Sequence, residues 1–404
     1  MSARSRGSVW RLTQRWSGAG PAREDADSDA GTAPFRYRAA ALTSGAPHVR
    51  DAFSFSRWTA VFAAALVPSL LVGLYNTGYQ AGEAVSAVGA GATLVGRGEL
   101  LARFGIQADP SKAAICMLVG LTYFLPAYLV AVLVADGWER VFAATRRRVR
   151  IEGLVVTTLL FTLSLPPTVP LWQVAVGMSF GVVMGKEIFG GAGRTFLNPA
   201  LVGLVFLYFA YPETLRAPSA WIPVEGWAGG TLLDRMAVDG DAVLATTGVT
   251  WADTLLGRVP GGFGDRSVAA CTLGAAVLLS MRVVSWRILA GGLFGLVLTA
   301  VVFGRLAPDL TPLAGLAWYW HATLGSFAFG LVFLATDPAT APLTTAGRWV
   351  YGALIGTMTV VIRVANPAHA DGVLLAILLG NVSAPLIDHF VIRANVRRRA
   401  RRHG

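Results

Sequence analysis

Long apolar runs separated by short polar or glycine-rich connections recur along the chain from residue 58 to residue 392. Several of these runs are shorter than the roughly 20 residues that a helix needs to cross a bilayer. Because backbone polar groups in lipid must be hydrogen-bonded within the protein, we expect each run to be helical, with the short ones broken, re-entrant or capped by ordered loops. The ten candidate spans lie near residues 58–76, 113–135, 153–166, 171–188, 197–212, 267–284, 287–304, 321–336, 349–363 and 372–392.

One sequence pattern occurs twice in this apolar part. Residues 166–171 read PPTVPL and residues 338–343 read PATAPL, and each is followed later by Asn-Pro-Ala, at 198–200 and 366–368. Proline-rich turns also commonly end one helix before the next begins, which is the simpler explanation of the pattern. The matching order favours a duplication. The sequence therefore predicts an all-α polytopic membrane protein with about ten transmembrane helices in two inverted five-helix repeats.

Basic residues cluster beside the apolar runs, as they do where positive charge orients helices in a membrane. The clusters before residue 58, at 140 and 146–150, at 282 and 287, and at 393–402 are predicted to be cytoplasmic, together with both termini. The connection 213–266 is then outside, where its seven acidic residues outnumber its four basic residues. The predicted parts are a flexible Arg-rich tail 1–57, a first membrane repeat 58–212, an outer connection 213–266, a second membrane repeat 267–393 and a basic tail 394–404.

Composition supports a protein dissolved mostly in lipid. Hydrophobic residues make up 54% of the chain and charged residues 14%, against roughly 25% charged residues in a soluble domain. The net charge of +11 does not indicate nucleic-acid binding, because the arginines flank apolar runs. Only Cys116 and Cys271 occur, too few for a four-cysteine iron–sulfur site. Residues 1–57 lack the apolar core segment of a signal peptide.

Four carboxylic acids fall at membrane depth: Glu139, Glu187, Asp337 and Asp388. An acid buried in a membrane is costly, and its oxygens suit a sodium or proton path. Pairing with the adjacent Arg140 and Lys186 would explain the two glutamates without such a role. Asp337 begins a turn and could simply cap it, whereas Asp388 stands beside His389, where titration could couple to a redox step. No metal site or catalytic residue is predicted.

A glycine-rich break separates two of the apolar runs. Residues 185–200 read GKEIFGGAGRTFLNPA, and their backbone N–H groups could cradle a phosphate or the edge of a flavin. The same glycines would equally serve tight turns and close helix packing.

Four segments together resemble one known family. They are GKEIFGGAGRTFLNPALVGLVFLYFAYP, TWADTLLGRVPGG, FAFGLVFLATDPATA, and the stretch that begins GRWVYGALIGTMTVVIRVANPAHADG and contains APLIDHF. In this order they closely resemble the family of B-type subunits of sodium-translocating NADH:quinone reductases. The likeness covers residues 48 to 402.

The resemblance implies an FMN attached through its phosphate to a threonine. In the family, this threonine ends a motif of the form Asp, two variable residues, Ser or Thr, Gly, Ala, Thr. The matching stretch here is EGWAGGT, residues 225–231, so Thr231 is the implied attachment residue and Gly229 keeps the turn before it. Glu225, Ala228 and Gly230 depart from the pattern, and Glu225, in the place of the motif's Asp, is counted with Gly229 among the implied flavin-binding residues. A second window, DAVLATT at 241–247, fits loosely at its ends and makes Thr247 the lower-ranked candidate.

The resemblance further implies a non-covalent riboflavin, ubiquinone as the electron acceptor and Na⁺ as the coupling ion. We expect riboflavin near residues 190–198, with Gly193 and Asn198 as contacts, and quinone near His48 to Asp51 and the first span. No dinucleotide-binding fingerprint is present, so NADH oxidation is expected on another subunit. The implied setting is the bacterial inner membrane, in a six-subunit complex with subunits A, C, D, E and F.

Two alternatives remain open at this stage. One is the D-type subunit of the related ion-pumping ferredoxin:NAD oxidoreductase, which shares the fold and the covalent flavin. The other is an inverted-repeat transporter or channel without a redox role, which the repeat and the acids alone would fit. The flavin motif argues against the second.

Overall fold

The computed structural model of the chain describes residues 55–89, 92–146, 153–191, 193–227, 229–366 and 371–403. The predicted tail 1–57, apart from its last three residues, and the expected quinone approach at His48 to Asp51 lie outside this description. The chain divides into a unit of residues 1–60 and a unit of residues 61–404. Residues 55–60 of the first unit are helical.

The described residues are predominantly helical and contain no strand, only an isolated antiparallel bridge between Leu94 and Val224. Short 3₁₀ turns occur at Gly96–Gly98 and Pro218–Ala220. The α-helices are α1 Phe55–Val88, α2 Glu99–Arg103, α3 Ala113–Arg146, α4 Leu154–Leu163, α5 Leu171–Val182, α6 Pro199–Ala210, α7 Pro212–Leu215, α8 Leu232–Asp239, α9 Ala242–Thr247, α10 Trp251–Leu256, α11 Val268–Ser280, α12 Trp286–Leu306, α13 Trp318–Thr323, α14 Phe327–Phe329, α15 Thr345–Ala365 and α16 Val373–His403.

Five helices among the described residues are long and apolar enough to cross a membrane, namely those spanning Ser56–Val88, Ala113–Arg146, Trp286–Leu306, Thr345–Ala365 and Val373–Arg402. The prediction of an all-α, multi-pass membrane protein is confirmed. The other five apolar runs contain shorter helices, such as α4, α6 and α11. In two of them the chain adopts a π-helical turn, at Val183–Glu187 after α5 and at Gly330–Leu334 after α14.

Small residues let α12 and α15 approach closely. A Cβ added to Gly356 would lie 1.9 Å from the carbonyl oxygen of Gly292, and one added to Gly295 would lie 2.2 Å from that of Ala353. Interfaces of this kind are favoured in membranes, because packing rather than hydrophobic burial drives the association of helices there.

The described residues of the connection 213–266 share an apolar core with a later part of the chain. Helix α8 packs with later segments in a cluster of buried side chains: Leu232, Leu233, Met236, Ala237, Val243, Val259, Leu313, Leu316 and Leu324. The end of the connection is fixed to the end of α4, because Phe263 N donates to Leu165 O at 3.2 Å and Gly264 N donates to Leu163 O at 2.9 Å. This anchoring places the residues before α11 beside the helical bundle.

Candidate functional site

A cavity of about 270 Å³ lies between the connection 213–266, helix α6 and the start of α16. Its volume is slightly below the range of roughly 300–1,000 Å³ that is usual for small-molecule sites. Its lining combines charged groups with apolar and aromatic side chains, namely Arg216, Thr231, Asp234, Arg266 and Asp371 with Val205, Tyr208, Phe209, Trp221, Leu233, Val238, Leu374 and Leu375. Such a lining suits a ligand that has one charged part and one flat apolar part.

Thr231 is the N-cap residue of α8 and is only 4% exposed. Its Oγ accepts a hydrogen bond from Asp234 N at 3.1 Å and donates one to Asp234 Oδ2 at 2.5 Å. A threonine is favoured here because its hydroxyl satisfies a backbone N–H that the first helical turn leaves free. The structure therefore places the hydroxyl of Thr231 at a helix N-terminus, against a carboxylate and facing a cavity.

Asp234 opens onto the cavity, so part of its side chain is accessible, yet the protein around it still weakens hydration of the charge. This desolvation raises the pKa of Asp234 above its ordinary value, and Asp371 adds to the increase, while Thr231 and Arg266 act in the opposite direction. The carboxylate is thereby a stronger proton acceptor than an ordinary aspartate.

Arg266 provides a buried positive charge beside Thr231. Its guanidinium lies over the ring of Trp221, with Cζ 5.4 Å from the ring centroid, and its Nε is 3.2 Å from Asp265 Oδ1. Arg266 is 6% exposed and Asp265 is 4% exposed. Stacking and ion pairing fix the orientation of the guanidinium, so its direction is set before any ligand enters.

Asp371 forms the opposite wall, immediately before α16. Its carboxylate accepts hydrogen bonds from Ser326 N at 3.0 Å and from Ser326 Oγ at 2.7 Å. The fully buried Arg363 lies behind it, with Nη2 3.7 Å from Asp371 Oδ1 and Nε donating to Asp371 O at 3.1 Å. Segments that are far apart in the sequence thus meet around Thr231.

The residues before Thr231 form a turn in which glycine is required. Gly230 has φ +62°, a conformation that alanine adopts only with strain. A Cβ on Gly229 would lie 2.5 Å from Trp227 Nε1. Glu225 is exposed and its Oε2 accepts from Thr93 Oγ1 at 3.3 Å, so it fixes the start of the turn rather than contacting Thr231.

The second sequence window has a different setting. Thr247 ends the short helix α9, and its hydroxyl donates to Val243 O at 2.7 Å. It is not among the residues that line the cavity. Of the two threonines, only Thr231 therefore faces this cavity.

Glu139 and Glu187 are both buried and both ion-paired. Lys186 donates a very short hydrogen bond to Glu139 Oε1, and Arg146 Nη1 lies 3.5 Å from Glu187 Oε2. The expectation that Glu139 pairs with its neighbour Arg140 is wrong, because Arg140 Nη2 instead lies 2.6 Å from Asp136 Oδ2. Adjacent residues on a helix point in different directions, whereas residues four apart share a face.

Asp337 and Asn198, predicted for different roles, are in contact. Asn198 Nδ2 donates to Asp337 Oδ2 at 3.3 Å, while Asn198 Oδ1 accepts from Ala200 N at 3.0 Å and caps α6. Asp337 Oδ1 also accepts from Ala339 N at 3.0 Å. Asp337 therefore caps its turn, as considered from the sequence. Its contact with Asn198 also joins the Asn-Pro-Ala segment at 198–200 to the proline-containing segment at 338–343.

Asp388 is hydrogen-bonded to the start of α15. Its carboxylate accepts from Leu343 N at 2.7 Å, from Thr344 N at 3.1 Å and from Thr344 Oγ1 at 2.5 Å. Thr344 is the N-cap residue of that helix. Asp388 therefore ties α16 to the turn that precedes α15.

The glycine-rich break at 190–198 is a tight loop. Gly190, Gly191 and Gly193 all have positive φ, at +113°, +90° and +81°. The N–H groups of Gly190 and Gly191 donate to Glu187 O and Lys186 O, so they are used within the loop. Gly193 has open space on its Cβ side.

Sequence reasoning singled out Thr231 but not four charged residues that line the same cavity, namely Arg216, Asp234, Arg266 and Asp371. Asp234 had a local signal, since Thr231-Leu-Leu-Asp234 matches the pattern of a capped helix start. The other three had none, because they come from distant parts of the chain. Among the described residues, no group of three or more His, Cys, Asp or Glu side chains could hold a metal ion.

Comparison with known proteins identifies relatives over nearly the whole chain. Residues 42–397 match the model of the NQR2, RnfD, RnfE family. The chain is 45% identical over 379 residues to the B-type subunit of the Na(+)-translocating NADH-quinone reductase of Azotobacter vinelandii, covering 91% of this chain and 92% of the relative. Proteins of the same description from Pseudomonas aeruginosa strain LESB58 and Yersinia pestis are each 45% identical, and the alignments cover 91–92% of both chains.

Proposed function

Because the chain belongs to the NQR2, RnfD, RnfE family, we propose that it is the B-type, flavin-bearing membrane subunit of a sodium-translocating NADH:quinone reductase. Relatives described as B-type subunits of such a reductase are 45% identical over more than nine-tenths of the chain. The cavity beside Thr231 is the single observation that carries the flavin assignment.

The residues of this cavity fit an FMN linked through its phosphate to Thr231. Arg216 and Arg266 supply positive charge for the phosphate, and the N-terminus of α8 adds backbone N–H groups that favour an anion. Tyr208 and Trp221 provide flat surfaces for an aromatic ring system. The cavity volume of about 270 Å³ leaves room for only part of the flavin, so the remainder would lie at the cavity mouth, open to a partner subunit.

A bound flavin supplies the electron chemistry, and the protein supplies position and charge. Thr231 fixes one end of the cofactor by a covalent bond. Trp221, Val205 and Leu374 exclude water from the apolar side of the cavity. Arg266, already oriented by Trp221 and Asp265, needs no rearrangement to stabilise negative charge.

The remaining assignments are proposals about where other components bind. Riboflavin is placed beside Gly193, whose open side and neighbouring Phe189–Phe196 ring contact, with centroids 4.6 Å apart, suit a flat ring. Asn198 would position this loop rather than touch the ring, since its amide is already used. Ubiquinone is placed near the first span, with the remaining subunits A, C, D, E and F completing the complex.

Sodium is proposed to pass along the carboxylates Glu139, Glu187, Asp337 and Asp388. The two glutamates, 9% and 8% exposed, hold charge inside the helical part of the protein, where an acid most often marks an ion path. The proposed topology is ten membrane segments in two inverted repeats, with both termini in the cytoplasm. The first repeat is residues 58–212, and the second, after the connection, is residues 267–393. The membrane is the bacterial inner membrane.

The test is in-gel flavin fluorescence of the denatured full-length subunit, co-expressed with an active flavin transferase. We expect a fluorescent band for wild type, for Thr247→Ala and for Thr250→Ala, a matched control in which another N-cap threonine of the same connection is removed. Thr231→Ala should abolish it. Loss only in Thr247→Ala would move the attachment site, whereas a dark wild-type band would overturn the flavin assignment and favour a transporter without a redox role.

A further inference from the structure

A threonine hydroxyl is a weak nucleophile near neutral pH and needs a base to take its proton. The group that touches Thr231 Oγ in this structure is the carboxylate of Asp234, with Oδ2 at 2.5 Å. This distance is just shorter than the roughly 2.6–3.2 Å over which a general base reaches the proton that it takes.

Helix capping alone could explain a Thr–Asp contact, and the same connection contains a pair that shows what capping looks like. Thr250 caps α10, and Asp253 accepts both its hydroxyl, at 2.6 Å, and its backbone N–H, at 3.0 Å. This reciprocal arrangement is a complete capping box. Asp253 is held by hydrogen bonds from the Thr250 hydroxyl and N–H, which lower its pKa.

Thr231 and Asp234 do not form this reciprocal pair of hydrogen bonds. Asp234 accepts the Thr231 hydroxyl, but Thr231 and Asp234 do not form the complete capping box that is present at Thr250 and Asp253. The carboxylate faces the cavity instead, where Arg216, Arg266 and Asp371 also lie. The Asp234 carboxylate therefore both contacts the hydroxyl of the cap residue and opens onto the cavity.

Charge balance around the cavity gives a second, independent reason. Two arginines and two aspartates line it. Asp265, the partner of Arg266, and Arg363, the partner of Asp371, add one charge of each sign. The cavity is thus neutral when Asp234 is ionised. A phosphodiester on Thr231 brings one negative charge, and one proton on Asp234 would cancel it at the point where the carboxylate would otherwise repel the phosphate.

We propose that Asp234 is the general base for flavin attachment, taking the proton from Thr231 Oγ as the flavin phosphoryl group is transferred and keeping it afterwards. The proposal rests on the proposed function, in which Thr231 carries FMN. The donor is a flavin dinucleotide, in which the flavin phosphate is activated as half of a pyrophosphate. The Oγ–P bond forms, the P–O bond to the departing nucleotide breaks, and the proton moves to Asp234 Oδ2. Nothing is oxidised or reduced.

The experiment uses the full-length subunit, expressed without transferase, purified in detergent and then reacted with a flavin transferase and flavin dinucleotide. Covalent flavin per chain is followed by intact mass and by in-gel fluorescence. Asp234→Asn, which keeps an acceptor for the Thr231 hydroxyl but cannot take its proton, should slow attachment about 10²-fold or more. Asp253→Asn, the matched change in the capping pair, should leave the rate within about twofold of wild type.

A pH profile separates proton transfer from a positioning effect. In wild type and Asp253→Asn, the attachment rate should fall as the pH drops through the raised pKa of Asp234, and Asp234→Glu should restore part of the rate with a displaced acid limb. Asp234→Asn should retain no such limb. Equal rates for Asp234→Asn and wild type, or an unchanged acid limb in Asp234→Asn, would overturn the proposal. Failure of wild type itself to take up flavin would instead overturn the function on which it rests.

Discussion

Two threonine–aspartate contacts in this protein have the same length and opposite surroundings. Thr231 donates to Asp234 and Thr344 donates to Asp388, each with an oxygen–oxygen distance of 2.5 Å. Asp388 also accepts two backbone N–H groups, from Leu343 and Thr344. Asp234 opens onto a cavity that two arginines share.

The difference shows why a short hydrogen bond does not by itself define a role. Backbone donors hold the Asp388 carboxylate in one place, so it works as a clamp between α15 and α16. Asp234 is held by the threonine hydroxyl, and it faces the place where a ligand would bind. Asp234 can therefore interact with a bound ligand, whereas the carboxylate of Asp388 is used within the fold.

The largest effect is expected from Arg266→Gln. This substitution tests whether the buried Arg266–Asp265 pair next to the cavity stabilises the folded protein. Removing the guanidinium leaves Asp265 buried without its partner and takes a cation away from Trp221. The expected loss is about 3–5 kcal/mol of stability. Thermal unfolding of the detergent-solubilised subunit measures it, with the exposed Arg258→Gln as the matched control, expected within about 0.5 kcal/mol. Equal behaviour of the two variants would show that the pair is not structurally important.

A smaller effect is expected from Asp388→Ala, which tests the clamp. The change leaves two backbone N–H groups and the hydroxyl of Thr344 without their acceptor at the start of α15. Hydrogen bonds to a charged group contribute about 1.5–3 kcal/mol each but do not add fully, so a loss of about 2 kcal/mol is expected. The same unfolding assay measures it, and covalent flavin on Thr231 should be unaffected. Unchanged stability would contradict the clamp.

Sequence patterns identified the helical membrane architecture because hydrophobic length is a direct physical requirement of the bilayer. They did not reveal how the short helices end. The carbonyl groups of Leu163 and Leu165 after α4 are satisfied by Gly264 N and Phe263 N, which come from a distant part of the chain. That pairing leaves no periodic signal.

The candidate site likewise contains residues that have a local sequence signal and residues that do not. Thr231 could be predicted from the family motif and Asp234 from local helix-start chemistry, but Arg266 and Asp371 reach the cavity only through the tertiary fold. The partner of Glu139 was misassigned to Arg140 because nearness in sequence was taken for contact. In the structure Glu139 pairs with Lys186, 47 residues away.

The smallest effect is a difference in the pH dependence of stability, compared between Asp234→Asn and Asp253→Asn. Hydrogen bonds from Thr250 lower the pKa of folded Asp253, so its ionised form stabilises the fold above the unfolded pKa of about 3.9 and the benefit disappears as pH falls through the lowered pKa. Asp253→Asn should therefore melt below wild type at neutral pH and match it in acid.

Asp234 should behave in the opposite sense. Desolvation raises its pKa in the folded state, so ionisation is a disadvantage that is absent below about pH 3.9 and complete once the pH exceeds the raised folded value. Replacing the acid by asparagine removes this disadvantage, and the melting temperature of Asp234→Asn should rise relative to wild type as the pH increases from about 4 to 7. Melting curves of the flavin-free subunit, recorded across this pH range, measure both slopes. Parallel slopes would mean that the two carboxylates have similar surroundings, because opposite signs arise only if one ion is stabilised by donors and the other is held in a desolvated site.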